Sequence, residues 1–234
     1  MIRNVVKHIP GARKAFHALA EAQCLSRSKK AIEAYLGDGN NKPKRLHLGC
    51  GNHLLGGWLN SDYYPRNPLV VHIDATKTFP LPANSFEYVF SEHMIEHISY
   101  IDGLTMLAES CRILKSGGKI RISTPNLKFL IDLYSESKSQ IQTDYIHWSI
   151  NTLVHCEEET DALVINNFVR DWGHQFIYDH ATLRRSLERC GFVNVEPFEI
   201  NESKDDSFRN LENESRMPAG FLRLETITLE ATKP

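Results

Sequence analysis

Leu46-His47-Leu48-Gly49-Cys50-Gly51-Asn52 is the stretch on which the fold turns. Arg45–Leu48 reads as a short strand that runs straight into Gly-x-Gly. Glycines there let the backbone approach a ligand closely and free N–H groups to bind it, although a tight turn alone has the same need. Working outward, Trp58–Asp62, Val70–Asp74, Phe86–Phe90 and Lys119–Ser123 are further strand candidates. Between the last two, Ile101, Leu104, Leu107, Ala108, Cys111 and Leu114 follow the spacing of a helix with one apolar face. Ser116-Gly117-Gly118 ends that helix and turns into the next strand. Residues 125–170 read as mostly helical, and Leu183–Cys190 as a helix ended by Gly191. Phe192–Ile200 and Glu225–Ala231 alternate as strands do. The polar segment 201–220 reads as an exposed loop. Strands alternating with helices imply an α/β fold around a mostly parallel sheet.

Two acids stand at strand ends, Asp62 after Trp-Leu-Asn-Ser and Asp74 after Val-Val-His-Ile. In open α/β sheets, ligands collect outside the carboxyl ends of the strands. An acid at the second strand's end can accept from both hydroxyls of a ribose, and one at the third from an exocyclic amine such as adenine's. Gly-x-Gly with these two acids is a nucleoside-shaped set. Taken singly, each aspartate can also be read as a turn cap, a reading the set of three weakens.

The rest of the chain bounds the answer. With 234 residues, 41% hydrophobic and 24% charged, it is an ordinary globular chain of one domain with an appendage. A net charge of −2 predicts no broad nucleic-acid affinity. No apolar run approaches the 18 residues of a membrane span, so no stable membrane insertion is expected. Cys24, Cys50, Cys111, Cys156 and Cys190 are odd in number and scattered, unlike a disulfide framework or a structural zinc site. The opening MIRNVVKHIPGARKAF has no apolar signal core, so a cytoplasmic location is the expectation. Residues 1–36 read as one helical arm, basic over its first thirty residues and packed on the domain. The expected division is an arm over 1–40 and the main domain over 41–234. Nothing in the sequence sets the oligomeric state.

Leu46–Asn52, Asp62, Asp74 and the run Phe79-Pro80-Leu81-Pro82 through Phe86-Glu87-Tyr88-Val89-Phe90-Ser91-Glu92-His93 to His97 together resemble class I S-adenosylmethionine-dependent methyltransferases. Leu114-Lys115-Ser116-Gly117-Gly118 and Arg189-Cys190-Gly191-Phe192-Val193 are similar to later elements of that family, so the likeness spans roughly residues 44–200. The ending Leu229–Pro234 is similar to a bacterial subgroup often associated with surface-polysaccharide synthesis. The resemblance implies a Rossmann-like methyltransferase fold, with a seven-stranded sheet and helices on both faces. It also implies S-adenosyl-L-methionine as cofactor. Gly49 and Gly51 would lie against its methionine part and ribose, with His47 and Asn52 beside them. Asp62 would hold the ribose diol, Asp74 and the Ala75 N–H the adenine edge. Ser91 and Glu92 would contact the methionine portion or shape the acceptor pocket. The implied function is methyl transfer to a small-molecule acceptor, a sugar or another hydroxylated metabolite.

Two departures stand out. His47 replaces the acid usual two residues before the first glycine. Only nine residues separate Leu48 from Trp58, too few for an ordinary crossover helix between parallel strands. The helix there must shrink to about a turn, leaving a bare sheet face for the N-terminal arm to cover. Rival readings are a nicotinamide-dependent Rossmann oxidoreductase, which wants a third glycine where Leu54 stands, and a protein that binds the cofactor without catalysis. His93-Met94-Ile95-Glu96-His97 also matches the H-x-x-E-H of inverted zinc peptidases. With no third ligand assigned, no metal is expected. His93, His97 and His174 are instead the candidate bases, because imidazole titrates near neutrality; His93, nearest the strand end, is favoured. Trp172, Phe176 and Tyr178 fit a pocket wall or the core equally. His147, His155 and Cys156 match no standard metal spacing.

Overall fold

The computed structural model of the protein describes residues 12–39 and 42–234. Seven strands form one sheet: β1 (Arg45–Leu48), β2 (Leu59–Asp62), β3 (Val71–His72), β4 (Phe86–Glu92), β5 (Leu114–Pro125), β6 (Val193–Phe198) and β7 (Thr226–Thr232). Their order is β3-β2-β1-β4-β5-β7-β6, with β7 antiparallel to both neighbours and the ladders from β3 to β5 parallel. Leu46, His47 and Leu48 of β1 and Val89 and Phe90 of β4 are all buried, as central strands covered on both faces must be. The chain leaves β1 toward β2 and returns on its other side as β4. The strand order reverses there, and the crevice that reversal opens lies at the carboxyl ends of these strands.

Helices α1 (Ala12–Gly37), α2 (Tyr100–Ile113), α3 (Leu127–Leu133), α4 (Gln140–Ser149), α5 (Asp161–Arg170), α6 (His180–Arg189) and α7 (Phe221–Glu225) pack around the sheet. Of the expected arm over 1–40, α1 forms from Ala12 to Gly37, and the first eleven residues lie outside the described part. Ile32 joins the main core, and Tyr35 stacks on Phe86 at 6.3 Å between ring centres. The Ser28 hydroxyl accepts the His72 N–H at 2.8 Å. Burying a side chain like Ile32 contributes roughly 1.5–3 kcal/mol, so the arm is fastened to the sheet by side chains of its second half.

No helix forms between β1 and β2. Asn60 does the joining instead: its amide oxygen accepts the Leu55 N–H at 2.9 Å, and its amide nitrogen donates to the Leu55 carbonyl at 3.0 Å. The Gly49 and Cys50 N–H groups both donate to the Ser61 carbonyl at 2.9 Å. These bonds satisfy a ten-residue turn that has no ladder of its own.

Two sequence expectations are corrected. The face of α2 is rotated: Gly103, Met106, Leu107, Ser110 and Ile113 are buried, while Ile101 is 68% exposed. Gly103 lets the Tyr178 hydroxyl come close, and a Cβ there would collide with it. Apolar spacing alone missed a face built on small residues. Segment 201–220 is not an exposed loop. Phe208 and Leu211 are buried against Trp58 and Phe90. Glu212 accepts from Arg121 Nε at 2.7 Å, and Arg121 Nη1 also reaches Glu230 at 2.5 Å. The polar residues that suggested solvent are partners of a fully buried guanidinium.

A second apolar cluster, including Phe129, Tyr145, Ile146, Phe168 and Phe221, joins α3, α4, α5 and α7 into a helical layer, so the helical reading of 125–170 is what forms. Tyr178 is buried in the main core and Phe176 packs against it, whereas Trp172 is 45% exposed.

Candidate active site

A cavity of about 620 Å³ opens at the carboxyl ends of β1, β2 and β3. Gly49, Asp62, Asp74 and Ala75 line it from the strand ends, and His97 and Gln175 from the segments beyond β4 and before α6. Gly49 follows β1 at φ +74°, and a Cβ there would run into the Met94 side chain. Only glycine fits the turn that faces the cavity.

Asp62 is held in place by its turn. Its Oδ2 accepts the Gly51 N–H at 3.0 Å and its Oδ1 the Tyr64 N–H at 2.8 Å. Asp74 is similarly anchored: Oδ1 accepts from the N–H of Thr76 at 3.0 Å and its hydroxyl at 2.7 Å, and Oδ2 pairs with Lys77 at 2.8 Å. Burial raises the Asp74 carboxyl, but the Lys77 and Thr76 hydrogen bonds outweigh it and hold it below the usual range. Both acids are thus pre-oriented acceptors with lone pairs left over.

The other predicted cofactor residues do not line the cavity. His47 is 1% exposed, hydrogen-bonded to Asn60 at 3.2 Å, and burial pushes it down to about 4. A neutral imidazole therefore stands in the core where the family has an acid. Gly51 and Asn52 are exposed on the turn. Ser91 is buried with no partner for its hydroxyl. Glu92 accepts the Asn213 N–H at 3.0 Å, 3.8 Å from Arg216, so it ties segment 201–220 to β4.

The candidate bases sit at different depths. His93 Nε2 is 2.8 Å from the Thr226 hydroxyl, its side chain only 11% exposed. Burial, then Arg216 and the neighbouring histidines, hold it well below the usual imidazole range. His97 reaches the cavity. His174 packs on it, ring centres 4.9 Å apart. Two bonds set this contact: the Gln175 N–H donates to the Glu96 carbonyl at 2.7 Å, and the Gln175 amide to the His97 carbonyl at 2.8 Å. Burial lowers both imidazoles, so each is neutral near pH 7. Beneath them lies Glu96, fully buried, which burial pushes up to about 8. The sequence reading missed Tyr63, Tyr64, Thr76, Lys77, Met94 and Gln175 in the lining. Four of these directly follow the two acids, and that adjacency is the signal that would have found them.

Comparison with known proteins gives the class. Residues 59–122 match the family described as Methyltransferase domain. The matched segment runs from β2 into β5, and the strand order above is that of a Rossmann-like methyltransferase fold, whose cofactor is S-adenosyl-L-methionine. No curated protein matches its sequence. Solved structures similar in fold include a SAM-dependent methyltransferase from Archaeoglobus fulgidus, at 16% identity and TM-score 0.49 over 88% of this chain and 94% of that one. A possible exported protein from Bordetella parapertussis matches at 14% and 0.49, over 100% and 78%. Phosphoethanolamine N-methyltransferase 2 from Haemonchus contortus, in complex with S-adenosyl-L-methionine, matches at 15% and 0.45. That likeness covers 87% of this chain, which spans about half of the enzyme, 51% of its length.

Proposed function

We propose that this chain transfers the methyl group of S-adenosyl-L-methionine to a hydroxyl of a small-molecule acceptor, a sugar or a similar metabolite. One observation carries the reading: the strand-end acids Asp62 and Asp74 and the glycine turn share a single cavity with His97. In it, Asp62 takes the ribose diol, Asp74 and the Ala75 N–H take the adenine edge, and Gly49 lets the methionine part lie against the backbone. The sulfonium methyl is already activated. The enzyme's main task is to hold the acceptor oxygen in line with the methyl carbon and departing sulfur, and positioning of that kind can supply roughly 7–11 kcal/mol of the barrier. His97 and His174 are the groups at the acceptor end that activate the hydroxyl; His93 is turned to Thr226 and supports them from the core.

No helix among the described residues is long and apolar enough to cross a membrane. All five cysteines are free, which supports a reducing, cytoplasmic setting.

The test is methyl transfer from labelled cofactor to a broad pool of hydroxylated acceptors. On the acceptor found, His97→Ala and His174→Ala each slow turnover by about 10²–10⁴, while cofactor affinity stays near wild type and His93→Ala is the mildest of the three. Full turnover in His97→Ala and His174→Ala removes histidine from the mechanism and leaves positioning alone. Cofactor binding with no transfer to any acceptor favours the non-catalytic binding protein.

A further inference from the structure

Glu96 is the group in this site that its hydrogen bonds leave unexplained. It is fully buried, and its Oε2 accepts from the Thr124 hydroxyl at 3.0 Å. Its Oε1 has no partner. A buried carboxylate oxygen without a partner carries a desolvation cost of about 1–3 kcal/mol or more, so something belongs beside it. What lies beside it is nitrogen: His97 Nε2 at 3.9 Å and, on another side, His93 Nδ1 at 3.6 Å. One ligand atom each from Glu96, His97 and His174 falls within 4.8 Å of the other two.

We infer that Glu96, His97 and His174 form a divalent transition-metal site, zinc or a similar ion, at the acceptor end of the cavity. The way His174 is held favours a metal over a chance cluster. The His174 Nδ1 donates to the Phe168 carbonyl at 2.6 Å, which fixes its tautomer and leaves Nε2 as a lone pair, as metal-binding histidines are fixed by a carbonyl on the far nitrogen. Two imidazoles and a carboxylate are a common three-ligand set, with zinc–ligand bonds of about 2.0–2.2 Å. Those lengths put tetrahedral ligand atoms roughly 3.4 Å apart, within reach of small turns of the two partly exposed rings.

This set differs from the H-x-x-E-H reading, in which His93 would be a ligand. His97 lines the cavity, so an ion held by this set would be open to it. There the ion supplies a Lewis acid that lowers the pKa of a bound acceptor hydroxyl, which is how His97 and His174 would activate it. That last step rests on the methyltransferase reading; metal binding itself does not.

Titration of the metal-free full chain with Co²⁺ alone tests the site, read by metal content after dialysis and by the visible absorption of tetrahedral cobalt. One cobalt per chain is expected. Glu96→Gln and His174→Ala lower its affinity by at least about 100-fold, because even outer partners of metal ligands are worth 10–100-fold. His147→Ala, at an exposed His–Glu pair elsewhere, leaves it unchanged. If Glu96→Gln does not fold, the partly exposed His174 carries the test. Absence of stoichiometric cobalt, or retention of wild-type affinity in His174→Ala, overturns the site. Calorimetry with S-adenosyl-L-methionine on the same samples reports separately on the cofactor reading.

Discussion

The two flanks of the sheet are held by different means. On the β1–β3 flank the fastening groups are close in sequence. Asn60 bonds Leu55 five positions away, Asp62 bonds Gly51 eleven away, and Asp74 bonds Thr76 two away. On the β5–β7 flank they are far apart. Arg121 reaches Glu212 across 91 positions and Glu230 across 109, and Glu92 reaches Asn213 across 121. The first flank is a set of self-contained turns whose residues also face a ligand cavity. The second is a buried polar knot that clamps segment 201–220 over the strand ends. Local turns organise binding groups; distant charge pairs fix what covers them.

The largest expected effect falls on the clamped flank. Arg121→Ala leaves Glu212 and Glu230 buried without their cation, and removing one partner of such a group costs about 3–5 kcal/mol. Against a typical total of about 5–15 kcal/mol, the variant unfolds at markedly lower urea. A loss under about 1 kcal/mol would mean that the knot is loose and that the two flanks are alike.

The cavity flank responds in binding rather than in folding. Asp62→Ala removes a charged acceptor of two hydroxyls, and hydrogen bonds to charged groups contribute about 1.5–3 kcal/mol. Affinity for S-adenosyl-L-methionine then falls roughly 10- to 100-fold. Asp74→Ala has the smallest effect, under about tenfold, because the Ala75 N–H still reads the adenine edge. Calorimetry on both variants, with melting curves to confirm the fold, ranks them; an Asp74 variant weaker than the Asp62 variant would reverse the proposed division of labour.

This contrast in range also explains what a single sequence makes legible. β1, the Gly-x-Gly turn, both acids and the missing crossover helix are set within some thirty residues, and each carries a local signal in glycine, aspartate or spacing. The α/β class and the strand candidates follow from the same short-range pattern. Segment 201–220 gave the opposite impression, because Glu212 looks solvated until Arg121 is placed beside it. The α2 face was misjudged for a related reason: Gly103 and Ser110 are buried as contact points, and no hydropathy pattern marks a small residue as facing inward. At the acceptor end, the chain motif His93–His97 was visible, but the approach of His174 depends on the backbone bond from Gln175 to Glu96. That pairing closes across nearly eighty residues and brings His174 onto His97.

The cavity beside Gly49, Asp62 and Asp74 is where S-adenosyl-L-methionine is expected to bind. Calorimetric titration of the purified chain with that cofactor, with NAD present as competitor, measures it directly. The expected result is one cofactor bound per chain, undisturbed by NAD and weakened by Asp62→Ala. Saturable NAD binding with no response to S-adenosyl-L-methionine would contradict it and turn the chain into a nicotinamide-dependent oxidoreductase.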